Sequence, residues 1–243
     1  MGTVQFRAAV VDVKVILEGH GFVCSIPQAK PLSPGEVLGC TSPGNLFDDS
    51  EEGIKNPQCM LFIADGRFHL EAAMIANPKL KAYRYDPYGK LLTEEGYEFG
   101  KMKSIRRSEI NKAKNAKTFG IVLGTLGRQG NPAILSRIKK LLNKSGRRSF
   151  VVLLSEIFPA KLEMMGDADA WVQVACPRLS IDWGHFFSKS VLSPYELEVC
   201  LGEAKWEEDS YPMDFYSKSD DKLWSNFGGK NNLRELDQND LRR

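Results

Sequence analysis

Two cysteines stand in settings that could do chemistry. Cys40 lies inside Pro31-Leu32-Ser33-Pro34-Gly35-Glu36-Val37-Leu38-Gly39-Cys40-Thr41-Ser42-Pro43-Gly44. Three prolines and three glycines in these fourteen residues make an irregular loop. Glycine there lets the backbone come close to a bulky group, and the loop's N–H groups can donate to a thiolate or a sulfide. Cys176 lies in Trp171-Val172-Gln173-Val174-Ala175-Cys176-Pro177-Arg178. A strand ends at this cysteine and Pro177 stops the ladder, so the thiol sits at the strand's C-terminal end, where α/β sheets hold ligands. Arg178 beside it would lower the thiol pKa or hold an anion. The plainer alternative makes both cysteines small buried residues, one in a turn and one at a strand end.

Cys40 and Cys176 are 136 residues apart, and no CxxC or CxxxCxxC run exists. Zinc ribbons, ferredoxin-type clusters and the common radical-enzyme motif are therefore absent, and a metal site would have to be assembled from separate parts of the chain. Cys24, Cys59 and Cys200 lie in or beside apolar strands and read as packing residues.

Other segments offer polar groups. Gly124-Thr125-Leu126-Gly127-Arg128-Gln129-Gly130-Asn131-Pro132 follows a strand and opens a helix, a geometry that presents N–H groups to an anion. It is neither a Walker motif nor GxGxxG, and Arg128 in it could meet a carboxylate with two bonds. Asp65-Gly66-Arg67-Phe68-His69 follows another strand end, at a plausible pocket rim. Glu156 either binds an ammonium group or caps the helix opened by Pro159. His20 and His185 have no partner legible in sequence.

The elements that must position these residues form a repeating α/β pattern. Val4 to Leu17 is an apolar, helix-length run. Strands are expected at Gly21–Pro27, within Asn56–Asp65, at Lys81–Asp86, Thr118–Thr125, Ser149–Leu154 and Ala170–Cys176. Helices are expected at Glu94–Lys117, as a charged link between two halves, at Pro132–Asn143 and at Pro159–Met165. Strands separated by helices argue for parallel α/β layers. The expected fold class is α/β, with two small parallel-sheet domains at 1–112 and 113–205. Residues 206–243, rich in Asp, Lys, Asn and Ser, read as a polar, mobile tail with Tyr211, Phe215 and Trp224 as aromatic anchors.

The 243 residues carry 33 Lys plus Arg against 31 Asp plus Glu, a net charge of +2, which gives no general attraction to nucleic acid or anionic lipid. At 42% hydrophobic and 26% charged the chain can build a core. No apolar stretch approaches the roughly 18 residues of a membrane span. Met1 to Val13 lacks the basic start and apolar run of a secretory signal, so the cytosol is expected and the thiols are expected to be reduced.

The quoted segments resemble one family, the first-subunit branch of 2-(3-amino-3-carboxypropyl)histidine synthase, which opens diphthamide biosynthesis. The resemblance is carried in order by Lys30–Pro43, Ala64–Ala73, Tyr83–Tyr88, Phe119–Gly130, Leu154–Leu162 and Trp171–Gly184, followed by Ser193-Pro194-Tyr195-Glu196. The Leu38-Gly39-Cys40-Thr41-Ser42-Pro43 and Ala175-Cys176-Pro177-Arg178 pair resembles subunit 1 more than subunit 2.

The resemblance implies three similar α/β domains around a cavity, each giving one cysteine to a [4Fe-4S] cluster. It implies that S-adenosylmethionine binds the open iron and yields a 3-amino-3-carboxypropyl radical, which adds to a histidine of translation elongation factor 2. It implies as partners subunit 2 and a small iron-containing electron donor, with no nucleic acid or membrane. Cys40 matches the second cluster ligand and Cys176 the third; Arg67, Arg128 and Arg178 are candidates for the methionine carboxylate. The chain then looks like the second and third domains, and alone it is expected to hold iron weakly. Two other readings compete. One is a catalytically silent scaffold that binds subunit 2 or elongation factor 2. The other, made without the resemblance, is a small-ligand-binding α/β protein using Gly124–Gly130.

Overall fold

Strands and helices alternate along the chain, but the alternation begins later than expected. The computed structural model describes residues 1–46, 57–126, 129–216 and 224–225. It divides the chain into two units, Met1–Phe99 with Glu207–Ser217, and Gly100–Trp206 with Lys218–Arg243. The division falls at Phe99–Gly100, ahead of the expected boundary at 112.

In the first unit a 3-10 turn, Val4–Phe6, leads into α1 (Arg7–Gly19). The strand expected at Gly21–Pro27 does not form. A strand needs a pairing edge, and Phe22 and Val23 are instead 62% and 79% exposed. The first pairing segment is the N-terminus itself. The Met1 carbonyl accepts from Ile63 N–H at 2.9 Å, and Thr3 N–H donates to the Ile63 carbonyl at 3.3 Å. Gly2 bridges both Ile63 and Glu36.

The sheet comprises β1 (Cys59–Ile63), β2 (Lys81–Asp86) and β3 (Leu91–Glu95), in the order β1-β2-β3. β1 and β2 run parallel, joined by α2 (Phe68–Ala76), which buries Leu70, Ala72, Ala73, Met74, Ile75 and Ala76. β3 is antiparallel to β2, so this sheet is mixed rather than wholly parallel as expected. A short connection around Tyr88-Gly89-Lys90 returns the chain at once: Asp86 accepts from Tyr88 N–H, and Lys90 takes a positive φ of 51°.

The second unit matches the parallel expectation. Its strands are β4 (Thr118–Gly124), β5 (Arg148–Leu154), β6 (Ala170–Val174) and β7 (Val191–Leu192). They lie in the order β5-β4-β6-β7, every pair parallel. All five β6 residues are buried, as a central strand covered on both faces requires. Gly120 pairs with Trp171, and the indole lies where a side chain on Gly120 would stand.

Helices α3 (Phe99–Ala113), α4 (Pro132–Lys144), α5 (Pro159–Glu163), α6 (Pro177–Trp183) and α7 (Pro194–Leu201) connect and flank these strands. α4 buries Ile134, Ile138 and Leu142 at four-residue spacing, and the Asn131 side chain caps it by accepting from Ala133 N–H at 2.8 Å. α7 has a capping box between Ser193 and Glu196 and ends on Gly202 with φ of 79°. The charged helix expected at Glu94–Lys117 forms as α3 over Phe99–Ala113, and its Arg106, Glu109 and Lys103 are buried. The tail expectation also fails in part. Tyr211, Met213 and Phe215 are 2%, 1% and 5% exposed and pack in the first unit. Trp224 lies 5.0 Å from the Tyr195 ring, and residues 217–223 and 226–243 lie outside the described residues.

Candidate functional site

Cys40 sits at the tip of a tight turn, not at a strand end. Leu38 and Thr41 exchange backbone hydrogen bonds of 2.9 and 3.3 Å, which places Gly39 and Cys40 at the two central positions. The Phe68 ring occupies the space that a side chain on Gly39 would need. Only glycine therefore lets the first residue of α2 pack against this turn.

The turn is held from its other side by residues 213–216 of the same unit. Ser42 N–H donates to the Met213 carbonyl at 2.7 Å, Phe215 N–H to the Cys40 carbonyl at 3.1 Å, and Tyr216 N–H to Thr41 Oγ1 at 2.9 Å. The Cys40 thiol is half-buried and receives the Thr41 hydroxyl at 3.9 Å. Sequence reading missed this clasp because the pairing partners are 175 residues apart. The buried aromatics Tyr211 and Phe215 were its only local signal.

Cys176 follows the C-terminal end of β6 and is the N-cap of α6, as the strand-then-proline pattern predicts. Its thiol is half-buried. Burial pushes its pKa above the ordinary thiol value, while the N–H groups of Arg178 and Leu179 and the Arg178 charge pull the other way. The expected lowering by Arg178 is thus outweighed by desolvation.

The three arginines fare differently. Arg178 is 5% exposed and is closed on Asp182, with Nε 2.9 Å from both carboxylate oxygens and Nη2 2.8 Å from Oδ2. Arg67 keeps half its side chain exposed. It donates to Glu71 at 2.8 Å and to the Gly96 carbonyl at 2.9 Å, and lies 3.4 Å from Glu95. Glu95 is held below the usual carboxylate range, chiefly by its hydrogen bond from Arg84. Arg128 lies outside the described residues, together with Gly127.

Among the remaining candidates, Asp65 is exposed and accepts from Gln5 at 3.2 Å. His69 meets the Phe68 ring edge-on at 5.4 Å. His20 Nδ1 lies 2.8 Å from the Ile16 carbonyl, and the His185 ring lies tilted by 36° against Phe186, with centroids 4.1 Å apart. Glu156 is exposed and does not cap α5, whose N-cap is Phe158. Of the cysteines read as strand packing, Cys24 is in no strand, Cys59 opens β1 exposed, and Cys200 is buried on helix α7.

All five cysteines are thiols rather than disulfides. Among the described residues no group of three or more His, Cys, Asp or Glu is gathered to hold a metal ion. The donor chemistry at Cys40 and Cys176 nonetheless fits an iron–sulfur cluster. Each is a half-buried soft ligand on a rigid, backbone-braced loop, and at Cys176 two N–H groups are turned toward the sulfur.

Comparison with known proteins shows the family. The family model for diphthamide synthesis proteins matches residues 1–212. The chain is similar to 2-(3-amino-3-carboxypropyl)histidine synthase subunit 1 from Dictyostelium discoideum, at 51% identity over 93% of this chain and 48% of that protein. The Gallus gallus protein of the same name is 50% identical over 93% of this chain and 53% of that one. The chain spans about half the length of the curated relatives it matches. Two crystal structures of Dph2 from Pyrococcus horikoshii superpose with a TM-score of 0.67 at 31% identity. The one with a 4Fe-4S cluster covers 86% of this chain and 58% of its own.

Proposed function

We propose, for a chain that belongs to the diphthamide synthesis family, that it is the part of a 2-(3-amino-3-carboxypropyl)histidine synthase subunit 1 that supplies two cluster ligands, Cys40 and Cys176. The reaction is transfer of the 3-amino-3-carboxypropyl group from S-adenosylmethionine to a histidine of translation elongation factor 2. A [4Fe-4S] cluster, when bound, supplies the electron that breaks the carbon–sulfur bond of S-adenosylmethionine. The partners are subunit 2 and a small iron-containing electron donor, and the compartment is the cytosol. Among the described residues no helix is long and apolar enough to cross a membrane.

The observation that carries the reading is the paired setting of Cys40 and Cys176. Each thiol stands in its own unit, half-buried, on a connection held by backbone hydrogen bonds. The chain's own residues prepare the ligands. Thr41 directs its hydroxyl to one sulfur, and the first N–H groups of α6 face the other, where they favour thiolate over thiol. Of the two described candidates, Arg67 has exposure to spare for a substrate carboxylate, whereas Arg178 would first have to release Asp182.

The test is anaerobic reconstitution with iron and sulfide, read by iron content and visible absorption, followed by transfer assays with subunit 2 present. Cys40→Ala and Cys176→Ala should each lose the cluster, while Cys24→Ala, Cys59→Ala and Cys200→Ala keep it. Equal iron loss from all five would sink the assignment. A protein that binds subunit 2 or elongation factor 2 without ever holding iron would be the silent scaffold instead.

A further inference from the structure

A glutamine in the middle of a fully buried central strand needs a reason, because an amide taken out of water costs free energy unless it is bonded. Gln173 is such a residue, 0% exposed on β6. Its side-chain oxygen accepts from Ala175 N–H at 2.8 Å, and its nitrogen donates to the Cys176 carbonyl at 3.0 Å and to Ser180 Oγ at 3.1 Å. β6 ends at Val174, so Ala175 and Cys176 have left the ladder. The Gln173 amide takes over the role of a neighbouring strand for these two groups and reaches across to the first turns of α6.

We propose that Gln173 is the positioning residue for Cys176: its amide fixes the direction in which the β6–α6 connection presents the thiol. Its consequence for iron rests on the proposed reading of Cys176 as a cluster ligand. Its consequence for the loop does not. The device continues inward. Ser180 is itself 0% exposed, and its carbonyl accepts from Arg106 Nη1 at 2.8 Å, so the far end of the clamp is anchored on α3. Methionine at 173 would fill a similar volume but leave Ala175 N–H and the Ser180 hydroxyl without these bonds.

The experiment is alkylation of the iron-free 243-residue chain by iodoacetamide, with Cys176 and Cys40 rates read by mass spectrometry from the same molecules. Gln173→Met should speed Cys176 modification by about fivefold or more while Cys40 changes less than about twofold, because the lost bonds hold only the second loop. Ser180→Ala removes one of the three bonds and should give a smaller change of the same sign. If Gln173→Met does not fold, every cysteine reacts fast and Ser180→Ala decides alone. A Cys176 rate unmoved in the folded variants overturns the proposal.

After reconstitution, Gln173→Met should lose iron to a chelator about tenfold faster or more. Faster alkylation in Gln173→Met, with iron retained in both Gln173→Met and Cys176→Ala, upholds the clamp and rejects Cys176 as a ligand. The two ideas therefore fail separately.

Discussion

Arg106 and Glu196 meet from α3 and α7 through two hydrogen bonds of 2.7 Å, and neither side chain has any exposed surface. Nη1 of the same guanidinium reaches the Ser180 carbonyl on α6, and Nη2 the Val191 carbonyl on β7, both at 2.8 Å. Glu196 in turn accepts from Ser193 N–H at 2.8 Å and completes the α7 capping box. A side chain on Gly184 would collide with Arg106. One arginine thus ties four elements of the second unit together.

Removing one partner of this pair should therefore cost about 3–5 kcal/mol, because the other charge stays buried and uncompensated. Denaturant unfolding of Arg106→Met and Glu196→Leu checks this. The double variant should be less damaged than the two single losses summed, since no lone charge remains. Strictly additive losses would show that the pair is not coupled.

The clasp over the Cys40 turn predicts a second effect. Phe215→Ala should lower stability by about 3 kcal/mol, as for a buried aromatic, and should expose the Cys40 thiol. Thr41→Val removes both the acceptor for Tyr216 N–H and the hydroxyl donated to Cys40 Sγ, at about 1 kcal/mol. In both variants thiol alkylation should accelerate at Cys40 and not at Cys176. A uniform acceleration would mean global loosening rather than loss of the clasp.

In a protein whose first residue is Met1, the free amino group makes the first unit pH-sensitive. It donates to the Leu61 carbonyl at 2.9 Å, and burial lowers its pKa from the ordinary 8.0 to about 6. Between those values the unfolded chain binds the proton that the folded chain sheds. Stability should therefore rise as pH increases from 6 to 8, by about 2 kcal/mol. The measurement is urea unfolding at both pH values, with an α-amino-acetylated protein as control. An equal slope in the acetylated protein would assign the effect elsewhere.

α1 carries apolar residues on the side away from its buried Val10. Val4, Val11, Val15 and Ile16 are 54–66% exposed, and Phe22 and Val23 follow. Such a patch favours association. Sedimentation of the 243-residue chain should show self-association that rises with concentration, and Val11→Glu with Val15→Lys should abolish it without changing the thermal midpoint. Monomeric behaviour of the unaltered chain at high concentration would refute this.

Where the chemistry is local, the sequence was legible. Pro177 after Cys176 marks the strand end, and Pro132 after Asn131 marks the start of α4, because a proline's missing N–H and fixed φ act on its immediate neighbours. Gly39 before Cys40 signalled a close approach, though not that the Phe68 ring makes it. The strand expected at Gly21–Pro27 failed because apolar content does not reveal whether a pairing edge exists. β3 was missed for the opposite reason, since Leu91-Leu92-Thr93-Glu94-Glu95 looks like the start of a charged helix and becomes a strand only beside β2.

By itself the sequence determined the α/β character, the two loops that carry the candidate ligand cysteines, and the family, because these rest on short runs of residue types in order. The tertiary structure alone decided which charges are buried and what braces each thiol. Arg106 and Glu196 are separated by 90 residues, and Thr41 and Tyr216 by 175. An arginine on a charged helix and a threonine in a loop look solvated until a partner from elsewhere in the chain is folded against them. Hydrogen bonds of that kind depend on positions set by the whole packing, and no local pattern of residues encodes them.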